Sequence, residues 1–321
     1  ARTDAVTMMD THLYSTRQLD FNPQRKLHPS PIDWRDQVIY FLLIDRFQKH
    51  GDHAPPLRRG ETPARREPGA GGRFQGGDLQ GIVERLDYIK NLGCTAIWIS
   101  PFVKNRIDRD DTYHGYGAQD FLQVDPRFGT LDDLRALTAA AHARGMYVIA
   151  DIVLNHTGDV WSYPNGDRYC YDAGRRFPFD AFREHDPAPG FQRDDAVWPA
   201  ELQDPEAFKR KGEIRNWDDA TEARDGDFST LKELDVNQPA VLNALIKIYK
   251  YWIVAADLDA FRLDTVKHLE SSAVAIFCNA IREYAREVGK HKFFLFGEIV
   301  GGDEVIEKYL GRNARLADTN E

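Results

Sequence analysis

Five short apolar runs, each with a polar or charged residue at or near its end, constrain this chain more than any other feature of its sequence. They are Val38–Asp45, Thr95–Ser100, Tyr147–Val153, Leu258–Asp264 and Phe293–Glu298. Continuous apolar runs of this length predict strands buried on both faces. Helical periodicity fills much of the sequence between them. Asp78–Gly93 places Leu79, Ile82, Leu86, Ile89 and Leu92 on one face and ends on a glycine, and Leu131–Arg144 likewise stops at Gly145. Pro239 opens a third helix with Val241, Leu242, Leu245, Ile246, Tyr249, Trp252 and Ile253 on one side, Leu269–Val288 forms a fourth, and a last runs over Asp303–Leu310. Strand and helix in alternation predict parallel βα units joined by right-handed crossovers.

Three regions fall outside the alternation. Residues 1–35 lack periodicity and read as an N-terminal arm, and Lys49–Arg73 is a solvated loop rich in Gly, Pro, Arg and His. Residues 157–230 hold Asp, Arg, Pro, Gly and aromatics without a long amphipathic stretch, the pattern of an inserted domain. The barrel or sheet domain is then 36–156 plus 231–321.

Charge and composition narrow the function. Lys+Arg 42 against Asp+Glu 51 gives a net charge of −9, which argues against nucleic acid as a partner. No run approaches the length that spans a bilayer, and Ala1–Leu19 contain no apolar core of a signal peptide. Cys94, Cys170 and Cys278 are too few and too far apart for a disulfide framework or a clustered zinc site, and Cys94 and Cys278 read as core.

The strand ends carry Asp45, Asp151, Asn155, His156, Arg262, Asp264 and Glu298. In a parallel barrel or a doubly wound sheet, that edge is where the loops converge on an active site. Asp264 and Glu298 end consecutive strands, so they can face one cleft, and two facing carboxyl groups suit glycoside hydrolysis. Either acid alone would more often cap a helix or pair with a cation. Arg262 lies two residues before Asp264 on the same strand face, close enough to hold it ionised.

Asp151-Ile-Val-Leu-Asn-His156, Asp259-Ala-Phe-Arg-Leu-Asp-Thr-Val-Lys-His268 and Phe296-Gly-Glu298 resemble, in order, three signature regions of the α-amylase superfamily of retaining glycoside hydrolases. Asp45-Arg-Phe47, Phe74-Gln-Gly-Gly-Asp78, Ile97-Trp-Ile-Ser-Pro101 and Tyr113-His-Gly-Tyr116 are also similar, so the resemblance covers roughly residues 36 to 300. It implies a (β/α)8 TIM-type barrel, here about its first five βα units, with the inserted domain after the third strand. It implies Asp264 as nucleophile, Glu298 as general acid/base and Arg262 as the group that orients Asp264. His114 and His156 would hydrogen-bond the hydroxyls of the cleaved sugar, Tyr116 would stack under its ring, and Lys267 and His268 would line the acceptor side. A structural calcium is implied at Asn155 and the backbone carbonyl of His268, completed by acids of the inserted domain such as Asp172, Asp180 or Asp218. A second calcium site found in some relatives is disfavoured by the lysine in Gln48-Lys-His-Gly-Asp52.

The resemblance further implies an enzyme acting on internal α-1,4 bonds of starch, maltooligosaccharides or cyclodextrins. Its alternatives are an α-glucan transglycosylase and a glucan-binding protein that keeps the barrel without catalysis. A phosphate-binding barrel has only Gly301-Gly302 to recommend it. The sequence departs from the family pattern at Ala260, at Gly117 where an aromatic usually follows the tyrosine, and in Leu231-Lys-Glu-Leu-Asp-Val-Asn237, which matches neither common version of a specificity segment. The fourth signature region, with a histidine and the transition-state aspartate, has no counterpart between Ile299 and Glu321. The sequence as given is therefore expected to be either a fragment of a longer enzyme or a truncated product, in isolation poorly soluble through unpaired first and fifth strands, and inactive. Measurable turnover of soluble starch by residues 1–321 would contradict that expectation.

Overall fold

The computed structural model describes residues 12–51, 72–106, 111–166, 168–182 and 196–310. Most of the loop expected over Lys49–Arg73 and the first residues of the arm lie outside them. The first strand, β1 (Ile39–Leu42), is shorter than the apolar run, because Leu43 starts a one-turn helix, α1 (Ile44–Phe47). Asp45 is therefore not a strand-end group facing the cleft. It is buried and accepts hydrogen bonds from the backbone N–H groups of Gln75 (2.8 Å) and Gly76 (2.9 Å), tethering the segment that leads into α2 (Leu79–Asn91). Asp78 caps α2 through the Gly81 N–H at 2.7 Å, and Gly93, at φ +88°, lets the chain leave the helix in a left-handed turn.

The next elements follow the expected alternation with one addition. After β2 (Ala96–Ile99), the chain forms an antiparallel pair, β3 (Val103–Asn105) and β4 (Ala118–Val124), before α3 (Leu131–Ala143) and β5 (Tyr147–Ile152). Beyond β5, the two-residue strand β6 (His156–Thr157) and the short α4 (Ala220–Asp225) precede β7 (Lys232–Glu233), which pairs antiparallel with β6. This ladder fastens together the two ends of the excursion over 157–230. An aromatic cluster of Trp161, Tyr163, Phe179 and Phe208 packs inside the excursion. Then come α5 (Pro239–Ala256), β8 (Ala260–Leu263), α6 (Ser271–Glu287), β9 (Phe294–Gly297) and α7 (Asp303–Leu310).

β1, β2, β5, β8 and β9 form a five-stranded parallel sheet in that order. The strand period of two sorts its residues between two environments. Ile97, Ile99, Val148, Ala150, Phe261 and Leu263 enter the main core with α2, α3, α5 and α6, while Ala96, Ile149 and Ala260 face the other way under Trp34, Trp98, Phe294 and Phe296. Among the described residues, β1 and β9 each pair on one side only, and Ile39 and Phe41 of β1 are exposed. No described helix is long and apolar enough to cross a membrane.

α5 shows what holds the layers together. Leu245, Tyr249, Trp252 and Ile253 are buried, and the Trp252 indole donates to the Phe121 carbonyl at 2.8 Å, joining α5 to β4. Truncating a buried aromatic removes its burial energy, leaves a cavity and here also orphans that carbonyl. Trp252→Ala is expected to cost about 3–5 kcal/mol. Ile276→Ala on the exposed face of α6 should change stability by less than about 0.5 kcal/mol. Urea denaturation of the two variants checks the contrast.

Candidate active site

The C-terminal ends of the strands open into a cavity of about 620 Å³ whose walls include His114, Tyr116, His156, Arg262, Asp264 and Glu298. Arg262 organises it. The parallel register places Asp151 of β5 beside Arg262 of β8, and Arg262 beside Phe296 of β9. Asp264 and Glu298 thus follow adjacent strands at nearly the same level. Arg262 Nη1 donates to Asp151 Oδ1 at 2.9 Å and to Asp264 Oδ1 at 2.7 Å, and Nη2 lies 3.1 Å from Glu298 Oε2. One guanidinium therefore bridges three carboxyl groups. The Thr265 N–H donates to Glu298 Oε2 at 3.1 Å, and the Asp264 N–H to the Ile152 carbonyl at 2.9 Å, so backbone as well as side chain sets their positions.

Asp151 is the site residue whose part the sequence left unassigned. Besides Arg262, its Oδ2 accepts from the Tyr116 hydroxyl at 2.9 Å and from the Trp98 indole at 3.0 Å. The available signal was the register: Asp151 and Arg262 both sit on the inward face of neighbouring strands, where an unpaired charge would be costly. Tyr116 is thereby held from behind by its hydroxyl, and its ring stacks on His114 with centroids 5.5 Å apart.

Burial disfavours the charged form of both histidines. His156 is buried, its Nε2–H donates to the Tyr116 carbonyl at 3.1 Å, and burial pushes its pKa down to about 3. His114 accepts the Tyr116 N–H on Nδ1 at 3.0 Å, and burial lowers its pKa too. Lys267 and His268 are not among the residues lining the cavity. Both lie in the 3₁₀ turn Val266–His268, where His268 turns its Nδ1–H onto the Ala223 carbonyl at the end of α4.

Burial reverses one expectation about charge. Proximity to Arg262 predicts an Asp264 that stays ionised well into acid. Instead, desolvation and the neighbouring Asp151 and Glu298 carboxylates outweigh Arg262 and raise the Asp264 pKa to about 7. Desolvation likewise raises Asp151 to about 6 against the pull of Arg262 and its hydrogen-bond donors.

With this geometry in place, the kinship of the chain is clear. Residues 41–318 match the profile described as alpha amylase, catalytic domain, and the chain belongs to that family. It is 36% identical over 282 residues to an alpha-amylase of Streptomyces lividans, a match covering 79% of this chain and 30% of that protein. It is 30% identical over 276 residues to a cyclomaltodextrin glucanotransferase of Klebsiella oxytoca, covering 84% of this chain and 39% of that one. The crystal structure of the Geobacillus thermoleovorans alpha-amylase complexed with acarbose superposes with a TM-score of 0.63 at 34% identity, over 86% of this chain and 49% of that one. The chain thus spans about a third to a half of the length of these relatives. Its parallel strands with outer helices are part of the family's (β/α)8 barrel.

Members of this family commonly bind calcium. Among the described residues, no three or more His, Cys, Asp or Glu side chains gather as a metal site, and the acids Asp172, Asp180 and Asp218 are not brought together into one. Asn155 instead donates from its amide to Glu233 Oε2 at 2.7 Å, with the buried ammonium of Lys209 close to the same carboxyl group. A cation already fixed in the chain does not fit a cage that must offer a calcium ion six to eight oxygens.

The raised carboxyl groups make stability depend on pH with a definite sign. A carboxyl group whose folded pKa lies above its unfolded value stabilises the fold while both states are protonated. That contribution is lost as pH rises through the folded pKa. For Asp264 the window runs from the ordinary aspartate value of 3.8 to about 7. Asp264→Asn removes the group, so the variant's stability relative to the parent is expected to increase between about pH 4 and pH 8. Urea midpoints at the two ends of that range check it.

Proposed function

We propose that the protein is a retaining glycoside hydrolase acting on α-1,4-linked glucans such as starch and maltooligosaccharides. The observation that carries the reading is the Asp264–Arg262–Glu298 bridge at the mouth of the cleft. It holds two carboxyl groups that follow adjacent strands on one cation, and the retaining mechanism uses two such groups on one sugar. In this reading, ionised Asp264 attacks the anomeric carbon and forms a glycosyl ester. Glu298 gives its proton to the departing glycosidic oxygen, then takes one from the water that hydrolyses the ester. Arg262 orients Asp264, and Asp151 orients Arg262 and, through its hydroxyl, Tyr116.

Sugar contacts follow from the walls. Tyr116 offers a ring face for stacking, Phe41 and Phe228 widen the apolar lining, and neutral His114 and His156 are suited to hydrogen-bond sugar hydroxyls. His268 packs edge-on against Phe228 of the wall, with ring centroids 5.6 Å apart, and Lys267 precedes it in the same turn. A transglycosylase is the second reading, favoured by the 30% identity to the cyclomaltodextrin glucanotransferase. The partner in either case is an α-glucan, and calcium is given no part in the chemistry.

Glu298→Gln keeps the shape and removes the proton, so starch hydrolysis by the active protein should fall by about 10²–10⁴-fold. The acid limb of kcat/KM in the unsubstituted protein should follow ionisation of Asp264, whose pKa is pushed up to about 7. Undiminished turnover in the variant would refute the assignment, and an acid limb below about pH 4 would refute the raised pKa of Asp264. Products from maltoheptaose separate the two readings: shorter chains only for a hydrolase, chains longer than the substrate for a transglycosylase.

A further inference from the structure

Three stretches of backbone meet beside the cleft. β6 and β7 set His156 opposite Glu233, and the Leu234 N–H donates to the Asn155 carbonyl at 2.8 Å. On the other side of β7, the Lys209 N–H donates to the Glu233 carbonyl at 3.0 Å, and Phe208 bridges Leu234. Glu233 therefore lies between Asn155 and Lys209 by backbone pairing, independent of any side-chain rotamer.

The side chains at this junction form a pocket rich in oxygen. Asn155 Oδ1 and Glu233 Oε1 are buried and, among the described residues, have no hydrogen-bond donor. Lys209 ties Glu233 to the last turn of α4. His268 takes the Ala223 carbonyl, and the Arg224 carbonyl accepts from Lys209 Nζ. These are the groups a helix C-terminus leaves unpaired, and they attract positive charge. The Asp225 carboxylate adds a further negative group, 3.4 Å from Lys209 Nζ. Undonated side-chain oxygens, helix-end carbonyls and two acids are what a hard cation would seek.

The positive charge that stands there belongs to the chain. Lys209 is buried, with a side chain only 6% exposed, and its Nζ lies 3.6 Å from Glu233 Oε1 while hydrogen-bonding the Arg224 carbonyl. A calcium ion needs its oxygens at about 2.3–2.6 Å. An ammonium hydrogen-bonded to the Arg224 carbonyl and 3.6 Å from the Glu233 carboxylate would lie beside any such ion, and two cations so close would repel strongly in a buried setting.

We propose that Lys209 is a built-in structural cation: its ammonium replaces the calcium ion that the family resemblance implies at Asn155, making this junction of barrel and excursion independent of metal. The consequence reaches the cleft, because Asn155 precedes His156, whose ring lines the cavity. The wall carrying His156 is then held by a covalently attached charge that no chelator can remove. A lysine exerts one positive charge where calcium would exert two, and the undonated Asn155 Oδ1 is the oxygen left over by that exchange.

The test is the number of calcium ions bound per chain, measured by equilibrium dialysis of metal-stripped protein at about 1 mM free calcium, near the weak end of protein calcium affinities. Lys209→Ala removes the ammonium and frees the oxygens. It is expected to bind one calcium ion more than the unsubstituted protein and to recover with calcium part of the melting temperature it loses. Equal calcium counts in the two proteins would overturn the proposal. Should Lys209→Ala fail to fold, Asn155→Ala decides the question. Under the proposal its calcium count equals that of the unsubstituted protein, and the loss of one ion would show that calcium does bind at Asn155.

Discussion

The guanidinium of Arg262 is the interaction on which the rest of the site depends. Bringing Asp151, Asp264 and Glu298 to one end of a sheet would be prohibitive without a cation among them, since buried like charges repel and each loses its hydration. Arg262 meets that requirement with a planar fork, two nitrogens of which reach all three. A lysine would present a single point charge and could not fix three orientations at once. Even so, the balance is incomplete. Desolvation outweighs the one guanidinium, and the pKa values of Asp264 and Asp151 are raised to about 7 and about 6.

The barrel architecture makes this arrangement possible at low cost. Parallel strands in register carry Asp151, Arg262, Asp264 and Glu298 to one edge, while the opposite residues of the same strands are locked in the helix-covered core. A one-residue slip of β8 would send Arg262 into that core and Phe261 into the cleft. Packing of the outer layer therefore protects the chemistry of the inner one. The excursion over 157–230 completes the cleft by contributing Phe228 and its neighbours to the wall, and the β6–β7 ladder ties it back to the segment that follows the strand bearing Asp151.

How much of this was legible in the sequence follows from where each signal resides. The five parallel strands and their helices were readable because continuous apolar runs and helix-stopping glycines are local features, and the main chain keeps them close to the expected bounds. β4 was missed because six of its seven residues are buried, Gln119 and Asp120 among them, so neither alternation nor apolarity marks it. β6 and β7 are two residues each, too short for any period. Asp45 looked like a strand-end group because the run containing it is continuous, yet the strand stops at Leu42 and the acid serves the backbone of Gln75 and Gly76. The cluster of Asp264, Glu298 and Arg262 was visible from motif and spacing. The raised pKa of Asp264 was not, because desolvation by segments distant in sequence has no local mark. Lys209 was invisible for the same reason: only the pairing of 208–209 with 233–234 brings it to Glu233, the partner of Asn155.

The central claim is that Arg262 presents Asp264, and neither of the other two carboxyl groups, as the group that bonds to the sugar. A fluorinated glycosyl fluoride that forms the ester quickly and hydrolyses it slowly would trap that bond, and peptide mass spectrometry of the digested protein would locate it. The account predicts one added glycosyl mass on the peptide containing Asp264, absent from Asp264→Asn. A label on Asp151 or Glu298 would contradict it.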